Sequence, residues 1–480
     1  MRLCGAWLEG SLNLNGANVE RHLLLWRCHI DRIEAFQANL KSVNLSEFQL
    51  VGGIAGDLLR CDGGLMLRNG RALGGVSFAN ASINGSVDFR GSFFEGGDYN
   101  VTLSLTGAAI SDSIFLDNGF RSVGHIQLDG ATIGRNLNGS GGGFEAKWDY
   151  PLSCVDMAVH GSALFRETIC LGGIRLSAAT IGGDLDFRGA DLLSRSDLVL
   201  SCDRSRVEGW FFFNQLKKLT GGIDLSSMTV GSLDDDEASW QGAKSAVILD
   251  GFTYGRFAGE APTDARMRVA WLDLQSNRDL KGRFRPQPWE QVIATFRSMG
   301  YSDEAREVAV AKHERMQKAG RFVGGSRLWD RTYGMLVGYG YRPWKLLRSV
   351  LIVWLFCTLA YWAAVNPQWF GSETHLLAPM KSEPNLPCLL ARATNPNAQP
   401  CPPKEVRYEN FFVPAFSAEV LLPVVTLGYK GEWRPVVSTP DGRQLFWGWA
   451  LQFLYWFEIF FGWVAGLLLV AAVGTLIKRD

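Results

Sequence analysis

The sequence has few of the patterns by which enzymes and nucleic-acid-binding proteins are usually identified. The 480 residues include 48 lysines and arginines and 48 aspartates and glutamates. The chain therefore has no net positive charge that would favour binding to nucleic acid. The nine cysteines include no CxxC pair, and no glycine-rich dinucleotide fingerprint, haem motif or iron–sulfur spacing is present. We therefore predict no catalytic residue, no metal site, no cofactor and no nucleic-acid partner, although an enzymatic role stays open.

A secretory signal is also missing from the first ten residues, which have a single arginine and no long apolar core. The N-terminal part is therefore expected in the cytosol, where most of the cysteines would be reduced core residues. The sequence is instead rich in glycine (54) and tryptophan (17). Glycine suits a turn-dense β fold, and tryptophan beside apolar runs suits a membrane interface.

A repeat occupies the N-terminal half. Apolar residues recur at offsets 0, 2, 5, 7, 11 and 13, as in Ile174, Leu176, Ala179, Ile181, Leu185 and Phe187. Further copies begin at Leu12, Val76, Leu103, Leu152 and Leu200, with weaker ones at Ile126, Ile223 and Val247. From Val76 onward the starts are 22 to 27 residues apart, a period typical of solenoids.

Each pair of residues at i and i+2 predicts one short strand, and four such strands close one coil. Together with the triplets Ala-Asn-Val at 17–19 and Ala-Asn-Leu at 38–40, the repeat resembles the pentapeptide-repeat family, with longer loops. The resemblance implies a β-solenoid over residues 1–258, in that family a right-handed quadrilateral β-helix. We expect the acidic run at 234–237 to be a solvated loop.

Helical periodicity then replaces strand alternation. One predicted helix runs from Pro288 to Gly300 and a second from Ser302 to Gly320. They form an α-helical hairpin within a basic linker, residues 262–345. Next to a membrane, on the cytoplasmic side, such charge is attracted to anionic lipid and fixes orientation.

Residues 346–480 form a predicted membrane module with two spans, 349–365 and 459–477. Basic residues flank the start of the first span and the end of the second, which places both termini on the cytoplasmic side of a bacterial inner membrane. Two cytoplasmic ends require an even number of crossings. The apolar segment 411–429 is therefore expected to enter and return on the outer side as a re-entrant segment.

Residues 366–458 are expected to lie mostly outside the cytoplasm. The polar loop 366–410 contains Cys388 and Cys401, which could form a disulfide there. A re-entrant segment survives at membrane depth only where protein or water surrounds it, so two spans per chain imply a homo-oligomer. The expected partners are therefore the lipid bilayer and further copies of the chain.

The order span, outer loop, re-entrant helix, turn and span resembles the pore module of two-transmembrane potassium channels. The resemblance assigns the selectivity filter to Thr426, Leu427, Gly428, Tyr429 and Lys430. It implies a four-fold assembly whose backbone carbonyls face a dehydrated cation. The family has glycine where this chain has Lys430, so non-selective, anion-conducting and non-conducting pores stay open beside a potassium-selective one.

Four further residues of this region have alternative interpretations. Gly462 and Gly466 resemble the inner-helix hinge of such channels, and their spacing equally suits close helix packing. Glu458 favours a structural role, at the outer interface or against the pore helix. For Glu419, structural and pore-associated roles are equally favoured.

The whole layout, with PQPWEQ at 286–291 and GYGYRPW at 338–344, resembles a group of bacterial proteins often labelled membrane-associated oxidoreductases. Two hypotheses follow. In the first, the β-solenoid receives a signal or protein partner and the membrane module is an ion pore. In the second, the chain is a non-conducting membrane-anchored scaffold or, as that label says, a redox enzyme.

Overall fold

The structure, a computed structural model, describes residues 2–96, 100–146, 150–243, 246–275, 284–319, 343–366, 376–379, 411–422, 424–431, 433–438 and 442–477. They belong to two compact units, Met1–Arg321 and Phe322–Asp480. The first unit contains a β-solenoid of about 11 turns. Seven helices occur among the described residues, and two of these, both near the C-terminus, are long and apolar.

Two parallel sheets build the solenoid. The first has 20 strands. They are Arg2–Cys4, Asn18–Val19, Leu23–Trp26, Asn39–Leu40, Val43–Ser46, Arg60–Cys61, Leu65–Arg68, Ser82–Ile83, Val87–Asp88, Ala109–Ile110, Ile114–Phe115, Thr132–Ile133, Leu137–Asn138, Ala158–Val159, Ala163–Leu164, Thr180–Ile181, Leu185–Asp186, Arg206–Phe213, Thr229–Asp235 and Thr253–Phe257.

The second sheet has 17 strands. They are Trp7–Asn13, His29–Glu34, Gln49–Leu50, Ile54–Ala55, Arg71–Ala72, Val76–Ser77, Phe93–Glu95, Val101–Ser104, Arg121–Val123, His125–Gln127, Gly143–Glu145, Leu152–Ser153, Ile169–Leu171, Ile174–Arg175, Asp191–Ser201, Lys218–Asp224 and Val247–Ile248. Through the middle of the solenoid, each coil contributes two strands to each sheet.

The strand register confirms the predicted repeat. Val76, which begins one copy, pairs with Leu103, which begins the next. The column continues through Ile126, Leu152, Ile174, Leu200, Ile223 and Val247. These side chains, and those two residues after each of them, are buried. The copy that begins at Leu12 differs: its first four apolar residues are only half-buried, because among the described residues no coil covers the outer side of the first one.

The coils turn at residues with left-handed backbone. Asn69, Asn80 and Gly91 stand at successive corners with φ of 52°, 55° and 68°. Glycine adopts this region without strain and asparagine more readily than most residues. Glycine and asparagine therefore serve some of these corners, and elsewhere residues such as Leu58 and Ala178 adopt the same backbone, with φ of 59° and 56°.

Four helices belong to the end of the first unit: α1 (Glu237–Gln241), α2 (Ala265–Asp273), α3 (Gln287–Ser298) and α4 (Ser302–Lys318). Helices α3 and α4 pack against each other as the predicted hairpin. Helix α3 also covers the last coil. The Gly251 N–H donates to Gln287 Oε1 (2.8 Å), and Gln291 Nε2 donates to the Tyr254 carbonyl (2.7 Å). Backbone groups at the edge of the sheet are thus satisfied by side chains of the PQPWEQ run.

The acidic run at 234–237 is not the solvated loop that we expected. Asp235 is fully buried and receives two N–H groups of Arg268, at 2.7 and 2.8 Å. Trp240 Nε1 donates to the same carboxylate (2.8 Å). Asp236 accepts from the Ser239 N–H (2.6 Å) and caps α1. The run therefore fastens the helices to the last coils of the solenoid.

A second buried carboxylate gives the solenoid a testable pH dependence. Burial raises the pKa of Asp186, but hydrogen bonds from Arg188 and Arg166 outweigh it and hold this pKa below its usual value. A lowered folded-state pKa contributes stability above the unfolded value, near pH 4, that is lost as pH falls through the folded value. We expect Asp186→Asn to unfold more easily than the wild type at pH 7. Thermal unfolding of full-length protein should show that this difference shrinks between about pH 5 and pH 2, and a constant difference would contradict the assignment.

The second unit contains α5 (Pro343–Val365), α6 (Val413–Leu421), α7 (Phe446–Ile477) and an antiparallel pair of strands, Leu377–Pro379 and Trp433–Pro435. Leu346–Val365 and Phe446–Val470 are long and apolar enough to span a membrane. Helix α7 is longer than the span that we predicted at 459–477. The prediction stopped at Glu458, but the aromatic run before it is uncharged and Glu458 itself has hydrogen-bond partners inside the unit.

Candidate functional site in the C-terminal unit

Helix α6 packs between the two long helices. Pro414 in its first turn suits a helix start, and Trp354 Nε1 of α5 donates to the Pro414 carbonyl (3.1 Å). The Phe416 ring contacts Tyr361 of α5 and Tyr455 of α7, with ring centroids 5.1 and 6.3 Å apart. With nine residues, α6 is about 14 Å long. It is thus too short to cross a hydrocarbon core of about 30 Å.

Two contacts locate the end of α6 and the strand Trp433–Pro435 along α7. At the end of α6, Leu421 lies against Gly462, near the middle of the 32-residue helix α7. After the following turn, Trp433 stacks on Phe411 (4.1 Å), and the Leu445 N–H donates to the Val437 carbonyl (2.9 Å), next to the first residue of α7. Leu421 thus lies beside the middle of α7, and Val437 lies beside its beginning.

One carboxylate of α6 binds the turn that follows this helix. Glu419 of α6 is buried and accepts backbone N–H groups from Gly428 (3.2 Å), Tyr429 (2.6 Å) and Lys430 (3.0 Å). Three convergent N–H donors fit within the acceptor capacity of a carboxylate, whose two oxygens have about four lone-pair sites. Of the five residues that sequence analysis assigned to a filter, three are thus bound by a residue for which it left two roles open. Structurally, Glu419 binds the turn.

The same contacts orient the opposite side of the turn. In a trans peptide the N–H and the preceding C=O point in opposite directions. Because three N–H groups point at Glu419, the carbonyls of Leu427, Gly428 and Tyr429 point away from it. Thr426, Leu427 and Gly428 are exposed in the single chain. The Tyr429 carbonyl accepts the Trp433 N–H (3.0 Å), so the carbonyls of Leu427 and Gly428 are the two that face the open side. Such carbonyls can bind a small cation.

Lys430 follows directly after these residues in the sequence. Its backbone N–H is bound to Glu419, and its side chain is half-buried. Every copy of the chain therefore carries a positive charge within three residues of these carbonyls in the sequence. Such a charge opposes a cation at short range and attracts an anion.

Glu458 joins all three helices. Its Oε1 accepts from Ser417 Oγ of α6 (2.5 Å), and its Oε2 accepts from Tyr361 OH of α5 (2.9 Å). The side chains of all three residues are fully buried. Of the two locations weighed for Glu458, contact with the short helix is the one observed.

The two glycines of α7 differ in their surroundings. A Cβ at Gly462 would overlap the carbonyl oxygen of Leu421, whereas a Cβ at Gly466 would meet nothing within 4 Å. Gly462 therefore permits close packing of α6 on α7. Gly466 has no such contact among the described residues.

The predicted disulfide between Cys388 and Cys401 falls outside the described residues. Of the seven described cysteines, none forms a disulfide and six are buried. The burial of the five in the first unit confirms that they are core residues, and Cys357 of the second unit is buried as well. Within the described ranges, no three His, Cys, Asp or Glu side chains come together in a way that could hold a metal ion.

Sequence reasoning missed Ser417 and Tyr361 as partners of Glu458. A signal was present, because both are polar groups within strongly apolar stretches, where an intramembrane polar residue usually has a partner. The pairing joins residues 41 and 97 positions apart, which no local pattern reports. Comparison of the sequence with protein-family models and with curated proteins finds no match.

Proposed function

We propose that the chain is an oligomeric membrane protein whose C-terminal unit is a re-entrant pore module and whose β-solenoid is a cytoplasmic domain for a signal or protein partner. One observation carries the proposal: Glu419 binds three successive N–H groups of the turn at Gly428–Lys430. A carboxylate that fixes a backbone turn, with the carbonyls of Leu427 and Gly428 pointing away from it, is an arrangement suited to guiding ions.

The depth of the turn supports an oligomer. Helix α6 ends beside the middle of α7, so in a membrane the turn lies within the hydrocarbon region. Val424, Thr426 and Leu427 are exposed in the single chain, Val424 to 91%. Irregular backbone at that depth must be covered by protein or must line water. Further copies of the chain around a common axis, four by resemblance to potassium channels, meet this need.

The solenoid supports the other half of the proposal. Its two parallel sheets, with two strands of most coils in each, support coils with four sides. The right-handed form is what the resemblance to the pentapeptide-repeat family implies. Such a solid column buries its core and leaves four long outer faces for recognition. We place it on the cytoplasmic side, with both termini, and 366–458 mostly outside.

Ion flux into liposomes tests the pore. We expect reconstituted full-length protein to pass small monovalent ions, with cation flux limited by Lys430. Lys430→Gly removes one positive charge per copy beside the carbonyls, and we expect the ratio of potassium to chloride flux to rise at least about tenfold, the factor that 1.4 kcal/mol gives. Fluorescent reporters of potassium and chloride inside the vesicles measure both fluxes.

Arg434→Gln is the matched control, because Arg434 is an exposed cation on the neighbouring strand Trp433–Pro435. It should leave the flux ratio near that of the wild type. If inserted protein carries no ion in either the wild type or Lys430→Gly, the pore proposal is wrong.

A non-conducting membrane-anchored scaffold is the second candidate, and Lys430 is the observation that favours it, because a ring of lysines opposes cations. It expects the same oligomer with no flux. The redox-enzyme alternative expects bound flavin, haem or nicotinamide in protein purified from its membrane. An absorption spectrum of that preparation separates the two.

A further inference from the structure

Glu458 is the more deeply buried of the two carboxylates that the structure describes in the second unit. It is fully buried among apolar and aromatic side chains, and its two oxygens are bound by different helices, through Ser417 and Tyr361. The thiol of Cys357 also faces it. Removing a carboxylate from water costs several kcal/mol unless its oxygens are hydrogen-bonded. The position of these donors is therefore strongly constrained.

The apolar contacts of α6 constrain its position less than these hydrogen bonds and the one from Trp354 to Pro414. Phe416 packs against the rings of Tyr361 and Tyr455, and Val420 is buried in the same cluster. Apolar contacts are non-directional, so a helix can shift along them at small cost. A shift of one residue would carry Ser417 away from Glu458 and leave a buried carboxylate with one donor fewer. The hydrogen bonds thus select one register of α6 on α7.

Gly462 selects the same register. Only a residue without Cβ fits opposite the Leu421 carbonyl. Gly462 and Glu458 are four residues apart and lie on one face of α7, as Leu421 and Ser417 lie on one face of α6. A steric contact and a polar contact therefore agree on where the short helix sits.

The register of α6 is passed on to the turn. Ser417, bound to Glu458, and Glu419, bound to the turn, are two residues apart in the same helix. Helix α6 is rigid over so short a distance. We propose that Glu458 is a positioning residue: by binding Ser417 and Tyr361 it sets the register of α6, and through Glu419 it holds the turn at Gly428–Lys430 in place.

Amide hydrogen exchange tests this on full-length protein in lipid nanodiscs. The N–H groups of Gly428, Tyr429 and Lys430 are bound to Glu419 and should exchange slowly. In Glu458→Leu, which has similar volume and no acceptor, we expect exchange in the peptide covering 424–431 to accelerate at least about tenfold. Ser417→Ala should accelerate it in the same direction.

Glu458→Gln is the conservative variant. Its amide oxygen can still accept from Ser417, so most of the protection should return, which a general loss of packing would not allow. Thr358→Val is the control, because the buried Thr358 hydroxyl has no partner among the described residues of α5 and its neighbours. It should leave exchange unchanged.

Two outcomes overturn the proposal. One is unchanged exchange at 424–431 in both Glu458→Leu and Ser417→Ala. The other is equal acceleration in Glu458→Gln and Glu458→Leu. The proposal rests on the proposed function only in treating the turn as the pore-lining element. Exchange is measured without any ion flux, so failure of the pore proposal and failure of the positioning proposal are seen separately.

Discussion

Replacing Arg268 by methionine is expected to destabilise the first unit by about 3–5 kcal/mol, the usual result of removing one partner of a buried ion pair. Asp235, fully buried, would keep only the indole N–H of Trp240. The Pro262 carbonyl would lose the N–H that Arg268 Nε donates (2.9 Å). The guanidinium also lies 3.8 Å from the Phe257 ring centroid, so a cation–π contact is lost with it.

Urea unfolding of full-length protein, followed by the β-sheet signal in circular dichroism, measures the loss. Arg266→Met on the same helix is the control, since Arg266 is exposed, and it should change the unfolding free energy by less than about 0.5 kcal/mol. Asp235→Asn combined with Arg268→Met should recover part of the loss, because the unpaired charge disappears while an acceptor for Trp240 remains. Equal effects of Arg266→Met and Arg268→Met would show that the ion pair does not hold α2 against the last coils of the solenoid.

The solenoid and the Asp235–Arg268 pair show where sequence reasoning succeeds and where it fails. The solenoid was predictable because its contacts are periodic: Val76, Leu103 and Ile126 stack at nearly constant separation, so one template describes them all. The Asp235–Arg268 pair occurs once and joins residues 33 positions apart. Nothing in the string Asp-Asp-Asp-Glu distinguishes a buried carboxylate from a solvated one. Its role depends on a helix that arrives later in the chain.

The membrane module was predictable at the level of its order and much less so at the level of its contacts. Long stretches without a charged residue, 349–365 and 459–477, indicate both long helices. Pro414 and Pro423 indicate that α6 is a separate, short helix. That Glu419 binds the turn depends on the chain reversing between residues 421 and 428, a reversal with no periodic signal. Glycine at 462 and 466 looks alike in sequence because spacing alone cannot report which of them meets α6.

Gly462→Ala is therefore expected to have a large effect and Gly466→Ala a small one. In a helix interior, alanine in place of glycine is favourable by about 0.5–1 kcal/mol. At Gly466, where a Cβ meets nothing within 4 Å, only that gain applies, so stability should stay equal or rise. At Gly462 the methyl group would overlap a backbone oxygen of α6. Overpacking of this kind costs about 1–3 kcal/mol or more and must displace α6 or α7.

The displacement should be visible where α6 acts. In Gly462→Ala we expect faster amide exchange in 413–421 and 424–431 and a lower unfolding temperature in lipid nanodiscs. Both readouts should be near wild-type in Gly466→Ala. A hinge would behave otherwise: alanine at either glycine would stiffen α7 and alter ion flux similarly while leaving α6 protected. Because the two interpretations assign opposite outcomes to the protection of α6, the pair of variants decides whether Gly462 is a bending point or the surface on which the short helix is seated.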